Sequence, residues 1–302
     1  MVRFGFKDGF QRYQCRICKR TRSDIPANPM GNLRVPMDKA VQVVNLLCES
    51  MGIRAIERLT GLNRRTVLNI LETAGQKAAA FSDANIRNVK PKMVQADEMH
   101  CIVFCRQQNN IHNIEDIGEQ FMFIAVDRDS KLIISSLIGR RTRENADRFM
   151  GDLRSRTTTR FQLTTDNWKT YSGYGESSVM TAFGSNIDYA TEKKVFAQPI
   201  PYLPRRVVAI RRKARIGNPD MKLATINHCE RTNLTVRLFT RRFTRCTLGY
   251  SKKLENLKFA AALFVWHFNF ARKHSAHGQT PAQSAGIAEN AMTIEDLLKS
   301  TH

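Results

Sequence analysis

No stretch of this sequence is apolar for long enough to cross a membrane. The longest apolar run, 259–266, falls far below the roughly 20 residues that a spanning helix needs. The first residues, Met-Val-Arg-Phe-Gly-Phe-Lys-Asp, lack an apolar core, so no secretory signal is expected. A disulfide framework is missing too. The seven cysteines are odd in number and irregular in spacing, which points to a reducing cytoplasm. Acidic residues are scarce, with 27 Asp and Glu against 48 Lys and Arg, for a formal net charge of +21. A surface this basic attracts polyanions. Nucleic acid is the leading partner and an anionic membrane surface the weaker one. Global disorder is excluded, because 42% of the residues are hydrophobic and charge stands at an ordinary 25%. No internal repeat is present.

The chain divides by texture. Residues 1–33 are small, polar and basic, and hold one C-x2-C pair, Cys15 and Cys18. A structural zinc site uses four ligands. A single pair therefore reads as a partial zinc-ribbon remnant, half a site that holds no Zn2+ alone. Cys48 or a histidine could complete it, but no spacing asks for that. Pro26, Pro29, Gly31 and Pro36 mark a linker. Residues 34–80 read as an all-α unit of three short helices, the third ending near 75. Val41, Val44, Leu47, Cys48 and Met51 share the first apolar face, Gly61 makes a turn, and Asn63 can cap the third helix. There Val67, Ile70, Leu71 and Ala74 form the apolar side and Arg64, Arg65 and Asn69 the polar side. The pattern fits a helix-turn-helix whose last helix meets DNA. A plain three-helix packing unit with a basic face fits it as well.

From residue 92 the pattern turns to strands. Residues 93–97 run on to 101–104, followed by 121–126 and 132–138. A helix over 142–156 buries Ala146, Phe149, Met150 and Leu153. Then come a strand over 161–166, a helix over 174–183 and a strand over 187–190. The expected fold is α/β, a mixed five-stranded sheet with flanking helices. The window 199–219 contains no acid and holds prolines around Arg205, Arg206, Arg211, Arg212 and Lys213. A helix over 226–243 and a very apolar helix over 252–272 follow. Between 205 and 258, fifteen Lys or Arg face three Asp or Glu, so the positive charge is concentrated there.

Inside this basic chain, Asp97 and Asp166 end predicted strands and Glu230 lies near the start of a basic helix. One such acid is ordinarily a turn cap or a surface ion pair. Three together on this element order suit phosphodiester chemistry, because Mg2+ takes oxygen ligands and two ions can serve an in-line displacement. Asp127 and Asp129 sit in a strand turn and read as turn chemistry. Glu98 should point to the opposite sheet face from Asp97, so all three rank below the triad. His267 and His274 read as packed or solvated.

The segments Val94-Gln95-Ala96-Asp97-Glu98, Thr164-Thr165-Asp166 and Cys229-Glu230-Arg231-Thr232-Asn233-Leu234-Thr235 closely resemble the acidic motifs of insertion-sequence transposases of the IS-one type. Gly217-Asn218-Pro219-Asp220, Arg241-Arg242-Phe243-Thr244-Arg245, Tyr250 to Asn256, Phe268 to Arg272 and Thr280-Pro281-Ala282 agree as well. The likeness covers most of the chain. It implies an RNase H-like D-D-E catalytic domain, here 90–290, before a C-terminal tail at 291–302. It implies two Mg2+ or Mn2+ ions on Asp97, Asp166 and Glu230. It also implies a homo-oligomer that assembles on DNA, binds terminal inverted repeats, cleaves, and joins 3′-hydroxyl ends to target DNA in the cytoplasm, at the nucleoid. Arg237, seven residues after Glu230, shares a helix face with Glu230 and Asn233 and could touch phosphate, as could Arg241. The chain departs from the family in its single cysteine pair, in His100 for an aromatic, and in Asn167-Trp168 for Gly-His. The competing expectation is a DNA-binding, repressor-like derivative without catalysis.

Overall fold

The structure is a computed structural model that describes all residues except 8, 25–29, 32, 174–175, 201–202, 204, 246 and 301–302. The linker prolines Pro26 and Pro29, the start of the 174–183 helix, Pro201, Pro204 and Cys246 therefore lie outside the described residues. The N-terminal segment is a three-stranded antiparallel sheet, β1 (Val2–Lys7), β2 (Phe10–Gln14) and β3 (Thr21–Ser23). Its second hairpin turns through the cysteine pair. Cys15 N–H donates to the Arg20 carbonyl at 2.8 Å, and Lys19 N–H donates to the Cys15 carbonyl at 3.0 Å.

Three helices follow, α1 (Met37–Cys48), α2 (Ile53–Thr60) and α3 (Arg64–Asn85). Gly61 ends α2 at a φ of 72°, a left-handed turn that glycine takes without strain. Asn63 caps α3 by accepting the Arg65 N–H at 2.9 Å. This helix runs ten residues past its expected end, to Asn85. The extension is rich in strong helix formers, Gln76-Lys77-Ala78-Ala79-Ala80. Gly75 lies mid-helix because α8 (Leu254–Trp266) crosses there. A Cβ at Gly75 would meet the Phe259 Cβ at 2.5 Å and its Cα at 2.7 Å. Through this contact α1–α3 share one apolar cluster with the sheet and α8.

The main sheet is mixed and has six strands where five were expected: β4 (Met93–Val103), β5 (Gly118–Asp127), β6 (Ile133–Gly139), β7 (Gln162–Thr165), β8 (Asp188–Phe196) and β9 (Val207–Ile216). Their order is β6-β5-β4-β7-β8-β9. The first three form an antiparallel meander, β7 and β8 run parallel to β4, and β9 returns antiparallel to β8. The extra strand is β9, in the proline-containing basic window to which the sequence pattern assigned no element. The prolines flank it, and 205–218 contains none, so its N–H groups are free to pair.

Helix α4 (Arg143–Arg156) buries Ala146, Phe149, Met150 and Leu153, the four expected positions. Short helices α5 (Lys169–Ser172) and α6 (Ser178–Phe183) join β7 to β8. On the opposite face, α7 (Asn227–Phe239) and α8 cover Met99, Cys101, Met122 and Ile124. After α8 a π-turn over His267–Ala271 buries Asn269, whose amide makes both bonds to the Ile133 backbone, at 3.0 and 2.9 Å. Two short helices close the chain, α9 (Pro281–Ser284) and α10 (Ile294–Lys299). The segment read as a tail thus carries a capped helix that buries Ile294, Leu297 and Leu298. Among the described residues no helix is long and apolar enough to cross a membrane.

Two glycines separate close packing from open space. Gly75→Ala is expected to lower unfolding free energy by about 2 kcal/mol, because overpacking exceeds the gain in helix propensity. Gly151, mid-α4 with nothing within 4 Å, should behave oppositely: Gly151→Ala is expected to add about 0.5–1 kcal/mol. Urea titration of the two variants checks both signs.

Candidate metal centre

The register of the sheet builds the site. Strand β7 pairs with β4 only from Met93↔Gln162 to Ala96↔Thr165. The next residue on each strand is an aspartate, Asp97 on β4 and Asp166 just past β7. The end of the β4–β7 pairing therefore brings these acids side by side, Asp166 just past β7 and Asp97 inside an unbroken β4 where a strand end was expected, at the crevice where open α/β sheets bind ligands. Strand β4 continues, and its next residue is Glu98. Asp97, Glu98 and Asp166 each offer a carboxylate oxygen within 4.8 Å of the others. Glu98 does leave the other face of β4 from Asp97, as alternation predicts. It joins the cluster because no strand continues beside it on the β7 side. The strand pattern alone ranked it below the triad; in the structure it is the third member of the close group.

Glu230 is not in that group. It lies in the first turn of α7, where its Oε2 is paired with Lys194 of β8. Its charge still reaches Asp97. The Asp97 carboxyl is pushed up to about 6, first by burial, then by Asp166 and Glu230. Glu98 is pushed up to about 8 by burial and by Asp166, although Arg141 opposes this. Its side chain is only 1% exposed, and one of its oxygens, Oε1, has no hydrogen-bond partner among the described residues.

The remaining contacts fix the acids in place. The Asn233 amide of α7 donates to Asp97 Oδ2 at 2.9 Å. Asn233 was expected on DNA, but it is buried against this carboxylate. Gln95, two residues before Asp97, accepts the His228 and Cys229 N–H groups at 2.8 and 3.1 Å, pinning the start of α7 to β4. Asp166 uses both oxygens: Oδ1 accepts the Trp168 N–H at 2.9 Å and Oδ2 accepts Arg141 Nη2 at 3.0 Å. Arg141 also reaches Glu98 at 2.9 Å and lies over the Trp168 ring, 4.4 Å from its centroid. The Tyr171 hydroxyl of α5 lies beside Glu98.

Arg141, Trp168, Lys194 and Gln95 are the site residues to which sequence reasoning gave no role. Arg141 precedes the Thr142 cap of α4 in an Arg-Arg-Thr run, and nothing local separates it from Arg140. Only its contacts with Glu98 and Asp166 in the folded chain do. The expected DNA contacts scatter over the surface. Arg64 and Arg65 are exposed at the start of α3, where Arg64 pairs with Glu57, and Asn69 is half-buried. Arg205 and Arg206 are exposed ahead of β9, and Arg211, Arg212 and Lys213 are exposed on it. Arg212 is also tied to the buried Glu192 at 3.0 Å. Arg237 is half-buried on α7, its Nε without a hydrogen-bond partner among the described residues and close enough for Asp97 to act on it, and Arg241 is exposed.

At the N-terminus the Cys15 thiol is lowered by the Cys18 and Ile17 backbone N–H groups and the Cys18 side chain. That favours thiolate. Among the described residues no third or fourth ligand joins the pair. Asp127 accepts the Ser130 N–H at 2.9 Å, the turn role expected for it, and His267 is packed and pushed down to about 4 by burial. No protein-family model matches the chain, and no curated protein does either.

Asp97 and Glu98 both hold a proton more tightly folded than at their ordinary values of 3.8 and 4.5. Their contribution to stability is thus complete below those ordinary values and is lost as pH rises through about 6 and about 8. In EDTA, Tm is expected to fall as pH is raised from about 5 to about 8.5, and Glu98→Gln should flatten the upper part of that slope. An unchanged slope in the variant would show that Glu98 is not the titrating group.

Proposed function

We propose that the chain is a DNA transposase of the IS-one type, with an RNase H-like catalytic sheet and the carboxylates Asp97, Asp166 and Glu230. The observation that carries this reading is the juxtaposition of Asp97 and Asp166 where the pairing of the parallel strands β4 and β7 ends, with a helix bearing Glu230 docked beside them. The strand order β6-β5-β4-β7-β8 supports it, since an antiparallel meander followed by two strands parallel to its first is what the RNase H-like expectation requires. The charge of +21 supports DNA as substrate. In this reading α1–α3 form the helix-turn-helix that meets the inverted repeats, the enzyme assembles as a homo-oligomer on DNA, and it works at the nucleoid.

The donor set suits Mg2+ or Mn2+, both of which take carboxylate oxygens. Asp97 and Asp166 would hold the ions, with Glu230 completing the set and Glu98 adjoining it. Such ions would activate the attacking hydroxyl and stabilise the leaving oxygen. The chain supplies the orientation. Asn233 fixes one oxygen of Asp97, while Arg141 and the Trp168 N–H fix Asp166. Lys194 neutralises Glu230. Arg237, on the Asn233 face of α7, is poised to meet a phosphate, and the cations of β9 and its approach hold the DNA backbone.

Asp97→Asn, Asp166→Asn and Glu230→Gln are each expected to cut Mg2+-dependent cleavage of inverted-repeat DNA by at least about 10³-fold, about 4 kcal/mol of barrier. Duplex affinity should stay within about threefold, since phosphate contacts elsewhere carry it. Cleavage assays with a labelled duplex, scored also for strands joined to a second DNA, test this. Full cleavage by any of the three variants removes that residue from the mechanism, and products that are cut but never joined restrict the enzyme to hydrolysis.

A further inference from the structure

Arg141, Arg156 and Arg242 are each substantially buried, and two of these three have acids to match. Arg156 meets Asp83 and Asp152, each at 2.8 Å, and Arg141 meets Glu98 and Asp166. The third, Arg242, follows α7 in the short 3-10 turn Arg241–Phe243. Its Nη1 donates to the Ser251 hydroxyl at 2.8 Å. Its Nη2 is sealed from solvent and has no partner among the described residues. No carboxylate acts on it, and burial alone pushes its pKa down to about 10. A buried guanidinium that keeps its charge without a counter-charge is costly.

Arg242 lies in the wall between two clefts, one of about 570 Å³ and one of about 660 Å³. Among the described residues neither cleft is lined by a single Asp or Glu. The smaller one opens between α1–α3 and the segment after α7. Its floor is apolar, with Leu47, Met51 and Phe264, and Arg64, Arg241 and Lys252 join Arg242 around it. Positive charge over an apolar floor, with no acid, selects an anion that carries a flat apolar body.

We propose that this cleft is a nucleotide-binding site, in which the phosphate pairs with Arg242 and the base lies on the apolar floor, the nucleotide being one turned out of the stack of the bound DNA. The DNA source rests on the transposase reading; the chemistry of the cleft does not. Turning a base out costs a few kcal/mol and least for an unpaired one. The site therefore favours a duplex with one unpaired nucleotide over a fully paired duplex.

The test uses the full chain and its Arg242→Met variant. Fluorescence anisotropy measures affinity for a labelled paired duplex and for the same duplex with one unpaired nucleotide. Melting is followed with and without dAMP. The expected result is a preference of at least about tenfold for the unpaired nucleotide in the wild type, abolished in Arg242→Met. Tm of that variant without ligand should be unchanged or raised, because an uncompensated charge has been removed. If duplex preference is absent but dAMP raises Tm of the wild type and not of the variant, the site stands and its ligand is a free nucleotide. If the variant keeps the preference, or the wild type responds to neither probe, the proposal is overturned. A fall in Tm of the variant by more than about 5 °C also overturns it, by showing that Arg242 is structural. Wild-type binding to the paired duplex is read separately, and its absence sinks the transposase reading rather than the cleft.

Discussion

Gln95 holds the two halves of the candidate site together through one carbonyl oxygen. It sits on the central strand β4, points away from α4, and accepts two N–H groups from the first turn of α7. Those N–H groups have no partner within their own helix, so an acceptor from the sheet satisfies them and fixes the helix origin. The positions of Glu230 and Asn233 follow from that origin, as does the approach of Asn233 to Asp97. A sheet-borne cap joins an acid of the sheet to a helix more than a hundred residues later in the chain. The carboxylates are thus oriented by packing and hydrogen bonds that do not themselves belong to the reacting set.

The acids are crowded, and the protein tolerates this by placing a cation on each side. Arg141 spans Glu98 and Asp166 from the α4 side, and Lys194 reaches Glu230 from β8. Asp97, between them, has only the Asn233 amide on its side chain and no direct salt bridge among the described residues. Its pKa is raised first by burial and then by Asp166 and Glu230. The guanidinium of Arg141 is itself held flat by Trp168, which makes its orientation a property of the β7–α5 turn.

Much of this was legible before folding was considered. The position of Asp166 after β7, the Asn63 cap and the buried stripe of α4 all follow from local pattern, and local pattern decided them, whereas Asp97 was expected to end a strand and lies inside β4. Three features needed the third dimension. The closeness of Glu98 to Asp97 and Asp166 was hidden because alternation along a strand says which face a side chain leaves from, not whether a neighbouring strand stops short. The full length of α3 was hidden by Gly75, which reads as a breaker until Phe259 is seen against it. Strand β9 was hidden by the prolines on either side of it. Arg141 and Lys194 look like any other cations in a chain with 48 of them, so only proximity to the acids singles them out.

Beyond Thr165 the sheet loses β7, and β8 continues with β9 alone as a two-stranded ribbon. Its outer strand is exposed along most of its length and includes Val207, Val208 and Ile210. A long, exposed, β-branched sheet edge is what templates unwanted pairing with other chains. Here Arg211, Arg212 and Lys213 occupy successive positions on that edge, so two copies aligned edge to edge would set like charges against each other. The basic residues of β9 therefore act as gatekeepers against self-association, whatever polyanion they also meet, and a chain stripped of them would lose solubility before it lost its fold.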